Sequence, residues 1–312
     1  MKAARFLSPH EWGLLLMCIL LFASFGMVTE GFLDPWNLSD RSRHLVEVGL
    51  IAVPMTFIIC TGGIDISVGS MMVLSGIVMG AAWRDWGLGM GVALLLSVLT
   101  GTVAGFFNGW MGSFLGIAPL VVTLATRALY RGLALGISSA DPVRKFPPEF
   151  LRIAELNLGY VPHTFLLLLV AIVAGHLVFR KSWIGRYAVA IGASERAAEF
   201  AAVPTRALKT GLYTFSGFMC GLSAPIYVAR FATANPEHAP TLELEVIAAV
   251  VVGGTRITGG NGSVLGTGLG ILAVGILRYG LDMTGFPQQW QTILMGLVVI
   301  VMVVLNEWTT RR

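Results

Sequence analysis

Apolar residues in this chain gather into long runs that polar and charged positions interrupt only at intervals. Ten runs stand out, at 12–29, 44–60, 68–83, 87–110, 117–137, 162–179, 208–230, 242–254, 263–281 and 287–305. They are too many and too long for a soluble core, and a helix needs roughly 20 residues to cross the hydrocarbon of a bilayer. Several fall short of that, so the glycine-rich stretches beside them have to complete the crossing. The pattern predicts an all-α integral membrane protein of about ten transmembrane helices, one domain over residues 1–312 built from two related halves.

Two of the interruptions read alike. The first is Gly62-Gly63-Ile64-Asp65-Ile66-Ser67-Val68-Gly69-Ser70, and the second is Gly253-Gly254-Thr255-Arg256-Ile257-Thr258-Gly259-Gly260-Asn261-Gly262-Ser263. Glycine weakens a helix, and a polar glycine cluster at membrane depth marks a broken helix whose freed backbone groups line a cavity or meet another helix. The expected break positions are Gly62, Gly63 and Gly69 in the first stretch and Gly253, Gly254, Gly259 and Gly260 in the second. Breaks at corresponding places in two halves of a membrane protein point to a transport path.

Composition agrees: 55% of the residues are hydrophobic and 12% charged, against about 25% charged in ordinary soluble domains. The net charge of +4 reports orientation rather than nucleic-acid binding. Arg180, Lys181, Arg186, Arg196 and Arg206, with Lys209 just beyond, crowd the 180–208 loop after the sixth apolar run, which the positive-inside bias places in the cytoplasm. Counting spans from there puts both termini inside, with Lys2, Arg5, Arg311 and Arg312, and the 138–161 segment outside despite Arg144, Lys145 and Arg152. The first run is long and has no small-residue cleavage pattern near Gly26, so it reads as a retained helix rather than a removed signal. Cys18, Cys60 and Cys220 lie in apolar runs without metal-ligand spacing and read as buried thiols. The chain has neither a G-x-x-x-x-G-K-[ST] loop nor H-E-x-x-H, and its five histidines are scattered. No cofactor, metal or ATP hydrolysis of its own is expected.

Within the 180–208 loop, Ser194 stands as an N-cap with Glu195 in the first turn, and good helix sequence runs to Val203-Pro204. Alanines at 197, 198, 201 and 202 give this helix a small face, with Phe200 as a projecting knob. Two readings stand: a docking surface for a partner, or a solvated connection.

Four blocks then resemble a known family, in order from about residue 40 to 305: Thr61-Gly62-Gly63-Ile64-Asp65-Ile66-Ser67-Val68-Gly69-Ser70; Phe107-Asn108-Gly109; Pro119-Leu120-Val121-Val122-Thr123-Leu124 with Arg131-Gly132; and Glu243 through Gly254. They are similar to the permease subunits of bacterial ABC importers for ribose, rhamnose and the autoinducer-2 signal. The Gly49–Thr56 stretch is more similar to the autoinducer-2 and rhamnose members. The chain departs from the family at Arg256, where a small polar residue is usual, and at Gly192-Ala193, where glycine-asparagine is common.

The resemblance implies a type II, vitamin-B12-importer-like permease in the bacterial inner membrane, importing a monosaccharide or sugar-like molecule. It implies a second permease subunit (a homo- or heterodimer), cytoplasmic ATP-binding subunits and a periplasmic substrate-binding protein. It also makes Glu195, Arg196, Ala198, Glu199 and Phe200 the expected contact with the ATPase.

An ionisable group at the bilayer centre costs roughly 2.5–3.5 kcal/mol on insertion scales. Asp65 is such a group, and two roles fit it: lining the path, or capping the helix that starts near Ile66. Arg256 holds the corresponding place in the second stretch, so an ion pair across the repeat is an expectation. Ser67, Asn108, Thr123, Thr126 and Thr258 offer the neutral donors and acceptors that sugar hydroxyls need, and serve equally as glue between helices. The rival class is a secondary transporter driven by an ion gradient, which would want several interior carboxylates. Beyond Asp65, the acidic residues lie mostly near expected helix ends or in loops.

Overall fold

The computed structural model describes residues 8–310. Lys2, Arg5, Arg311 and Arg312, which enter the expected placement of the termini, lie outside the described residues. The chain order is α1 (Pro9–Val28), α2 (Pro35–Cys60), α3 (Val68–Arg84), α4 (Met90–Phe114) and α5 (Pro119–Ser138), then a short α6 (Pro148–Glu155). An antiparallel hairpin of β1 (Asn157–Leu158) and β2 (Val161–Pro162) follows. Next come α7 (His163–Lys181), α8 (Trp183–Ala193), α9 (Glu195–Phe200), α10 (Thr205–Phe231), α11 (Leu242–Val252), α12 (Val264–Met283) and α13 (Gln288–Thr310).

Every one of the ten apolar runs coincides with a helix, but helices and spans are different counts. Seven helices among the described residues are long and apolar enough to cross a membrane: α1, α2, α4, α5, α7, α10 and α12. Helix α3 has 17 residues and α11 only 11.

Local chemistry sets the helix starts. Ser8 and Glu11 form a reciprocal capping box on α1. The Asp34 carboxylate accepts from the backbone N–H groups of Trp36 and Asn37, with Pro35 in the first helical position. Helix α2 therefore starts nine residues before the expected residue 44, and Glu47 sits midway along a buried helix rather than near its end.

The most apolar window of α2 is 83% buried, against 17% for α1 and for α7. Helix α2 is thus a central post, joined by α10 and α12, while the outer helices turn large aliphatics such as Leu95, Leu124 and Val170 outward. In lipid that exposure costs little, because the tails are as apolar as leucine.

Packing between α4 and α10 needs glycine. A Cβ on Gly101 or Gly105 would overlap the carbonyls of Gly217 and Tyr213, and one on Gly217 would overlap the carbonyl of Gly101. Small residues four apart let the two backbones touch, as in membrane helix pairs generally.

Beyond Phe231 the chain does not leave the bundle. Residues 232–241 turn back inward until the Ala239 carbonyl and Glu243 carboxylate press on Gly69 at the start of α3. Two arginines of α5 pin this segment: Arg131 donates to the carbonyls of His238, at 2.9 Å, and Pro236, and Arg127 donates to that of Pro240 at 3.2 Å. Helix α11 therefore begins inside the bundle and runs down to the second glycine stretch.

Candidate functional site

The two glycine stretches meet. The Gly260 N–H donates to the Cys60 carbonyl at 2.9 Å, joining the second break to the end of α2. A Cβ on Gly192, at the end of α8, would overlap both that carbonyl and the Gly260 nitrogen. Gly62 (φ +81°), Gly254 (φ +89°), Gly259 (φ +87°) and Gly260 (φ +78°) occupy left-handed backbone that other L-residues adopt only with strain. The N-terminus of α1 closes the junction, where Ser263 donates to Glu11 and the His10 ring lies 3.2 Å from the Val252 carbonyl. Two breaks and the approach to α9 thus form one backbone knot.

Above it lies a buried polar cluster. One oxygen of Asp65 accepts from the Ser67 N–H at 2.9 Å and the Ser67 hydroxyl at 2.6 Å, and the other has no hydrogen-bond partner. The Asn108 amide donates to the Ser67 hydroxyl at 2.8 Å and accepts from Tyr130 at 3.0 Å. Thr123 donates to the Ile64 carbonyl at 3.1 Å, and Thr126 bonds back to the Thr123 carbonyl. Asp65, Ser67, Asn108, Thr123 and Thr126 therefore gather around the first break and α3, α4 and α5. Thr258 stands apart, exposed on the second break. No ion pair joins Asp65 to Arg256 among the described residues: Asp65 is fully buried on its own Ser67, and Arg256 is half-buried in the other loop.

Sequence reasoning missed a second, more strongly charged cluster at the opposite end of the bundle. Glu47 of α2 is completely buried and takes both of its bonds from Arg230 of α10, at 2.9 and 2.7 Å. His44 bridges Glu47, at 3.7 Å, and Glu245 of α11, at 2.9 Å. Arg278 of α12 pairs with Glu245, and Arg127 of α5 pairs with buried Glu243 at 2.6 Å. The expectation that acidic residues beyond Asp65 lie mostly near ends or in loops holds for Glu243 and Glu245, in the first turn of α11, and fails for Glu47, which the early start of α2 places mid-helix; the inward turn before α11 nonetheless buries that first turn. Each is neutralised by an arginine, as burial of a carboxylate demands. The only forewarning in the sequence was their position within or beside apolar runs.

A cavity of about 390 Å³ opens beside this network, between the last turn of α10, the 237–241 segment and the facing sides of α2 and α12. Tyr227, Phe231 and His238 form an aromatic corner in it, with ring centroids 4.7 to 5.9 Å apart. Burial and the nearby Arg131 and Arg230 push the His238 imidazole below its ordinary pKa.

At the far end, α9 carries the expected coupling residues, and they divide. Ser194 caps the helix by accepting from the Ala197 N–H. Glu195 pairs with Lys209 at 2.5 Å and Glu199 accepts from Thr205 at 3.2 Å, so both carboxylates hold the helix to α10. Arg196 is exposed, and Phe200 is 93% exposed. Ala198 faces inward and is buried, so the small face expected to meet a partner is in part spent on the chain's own body.

A family model described as branched-chain amino acid transport system / permease component matches residues 43–303. The chain is 32% identical over 321 aligned positions to the autoinducer 2 import system permease protein LsrD of Escherichia coli strain K12, covering 97% of both chains. The proteins of the same name from Escherichia coli O157:H7 and Shigella flexneri match at the same identity and coverage. No solved structure matches.

Proposed function

From a chain that belongs to the branched-chain amino acid transport system permease family, we propose the membrane-spanning subunit of an ATP-driven importer for a monosaccharide or sugar-like molecule of autoinducer-2 or rhamnose type. The observation that carries this reading is the end-to-end similarity to autoinducer 2 import permeases, 97% of both chains. The relatives are transport components, not enzymes. The permease sits in the inner membrane in a type II arrangement with both termini cytoplasmic. It works beside a second permease subunit, with ATP-binding subunits at α9 and a substrate-binding protein on the opposite face. The Asp65, Ser67, Asn108, Thr123 and Thr126 cluster lies along the solute's way, and the glycine junction is the part that opens.

The secondary-transporter alternative gains nothing from the interior carboxylates. A carboxylate that couples to protons or sodium has to be free to exchange its cation, whereas Glu47, Glu243 and Glu245 are each held by arginine.

Reconstitution in vesicles tests the reading. Concentrative uptake of labelled L-rhamnose or autoinducer 2 is expected only when the second permease subunit, the ATPase and the loaded binding protein are present with ATP. Uptake by the purified chain alone under an imposed proton or sodium gradient would overturn it.

A further inference from the structure

The charged cluster ties α2, α10, α11 and α12 together, and the way it borders a cavity suits a ligand. We propose that the cavity beside His44, Arg230, Glu245 and Arg278 is a solute chamber that holds one uncharged, polyhydroxylated ring of monosaccharide size before it reaches the glycine junction. This rests on the reading of the chain as an importer subunit and names the waiting place and class of its solute.

Size comes first. At about 390 Å³ the chamber lies at the lower end of the roughly 300–1,000 Å³ usual for ligand pockets, which suits a single small ring and not an oligosaccharide. Its place comes second. It is lined by the first half of α2 and the last turns of α10 and α12, at the end of the bundle opposite Cys60, the glycine junction and α9. The chamber is therefore the first stop for a solute arriving from the side away from α9.

Chemistry selects the class. Guanidinium forks and carboxylates bridge neighbouring hydroxyls, and an aromatic face takes the C–H side of a sugar ring. Both are here and adjoin: Arg230 and Arg278 with Glu245, and Tyr227 and Phe231, over whose rings the Arg230 guanidinium lies at 5.5 and 4.3 Å, so that a sugar has only the uncovered ring faces. The charges already cancel in pairs, Glu47 with Arg230 and Glu245 with Arg278, and His44 lies between them. A ligand carboxylate or ammonium would have to pull such a pair apart, which leaves a buried partner uncompensated. A hydroxyl can instead donate to a carboxylate lone pair or accept from a spare guanidinium N–H without breaking either pair.

The network also gives a solute leverage. Its members come from α2, α10, α11 and α12, and α11 runs directly from Glu245 to the Gly253–Gly254 break. A ring bonded to Glu245 and Arg278 would set the position of α11 against α12, and through it the junction below.

Site-directed labelling in the intact chain tests this. Thr241 lines the chamber and its side chain makes no cap bond to α11, whereas the three native cysteines are buried. A Thr241→Cys chain, reconstituted in vesicles, is expected to react with a membrane-impermeant methanethiosulfonate. Millimolar L-rhamnose or D-ribose should slow that reaction at least threefold and L-leucine should not. Adding Phe231→Ala should keep the labelling and lose the protection. Protection by leucine alone would overturn the proposal, and so would no protection by either sugar in a preparation whose ATP-driven sugar uptake is intact, with the importer reading left standing. Protection by sugar in a chain that takes up solute without ATP would support the chamber and overturn the importer reading instead.

Discussion

Asp65 acts through one oxygen, and that asymmetry makes its role separable. Removing the acceptor in Asp65→Ala deprives the Ser67 N–H and hydroxyl of their bonds and is expected to cost about 1–3 kcal/mol. Asp65→Asn keeps an acceptor while removing a buried charge that has no basic partner, so its thermal midpoint in detergent should equal or exceed that of the parent. An equal fall in both variants would show that the charge itself is required. Because no ion pair joins the two, Asp65→Asn and Arg256→Gln should be additive within about 0.5 kcal/mol. A lone acid among glycines was legible in the sequence because nothing else explains it at that depth. Glu47 was not, since a run starting at 44 puts it in the first turn of its expected helix, and only the Asp34 cap and the distant Arg230 make it the middle of a buried helix.

The α4–α10 seam and the small helix α9 carry opposite lessons about glycine and alanine. Gly105→Ala drives a methyl into the Tyr213 carbonyl, and overpacking of this sort costs about 1–3 kcal/mol. Gly132→Ala on α5 meets nothing within 4 Å and should be neutral or gain up to about 1 kcal/mol of helix propensity. Parallel melting curves check both. In the assembled importer, Phe200→Ala should lower solute-stimulated ATP hydrolysis with insertion unchanged, whereas Ala198→Trp should lower the yield of folded protein, because Ala198 is buried. If Phe200→Ala hydrolyses ATP normally, α9 is only a connection. The existence and start of α9 could be read from Ser194, Glu195 and the Val203-Pro204 stop. Which alanine turns inward could not, because a helix of six residues is too short for its periodicity to choose a face.

At the scale of the molecule, ten helical segments were readable because apolar length is a blunt and strong signal. The inward turn of residues 232–241 was not, since it depends on Arg127 and Arg131 some hundred residues earlier. The helices also differ in length. Of the outer helices, α1, α5 and α7 have 20, 20 and 19 residues and α4 has 25; of the central ones, α2 and α10 have 26 and 27 and α12 has 20. At about 1.5 Å per residue, the three short outer helices, the rim, are about 30 Å long, the usual hydrocarbon thickness, and α2 and α10, the post, about 40 Å. The rim matches the bilayer while the post exceeds it, and mismatch is relieved by tilting outer helices. Transport should then depend on acyl-chain length. In vesicles of monounsaturated phosphatidylcholines from 14 to 22 carbons, ATP-driven uptake is expected to peak at the thickness that matches the rim and to fall on both sides, while the thermal midpoint of the glycine-sealed post changes little. A flat profile would mean that the rim moves with the post as one rigid body, and that the surrounding lipid has no hold on the gate.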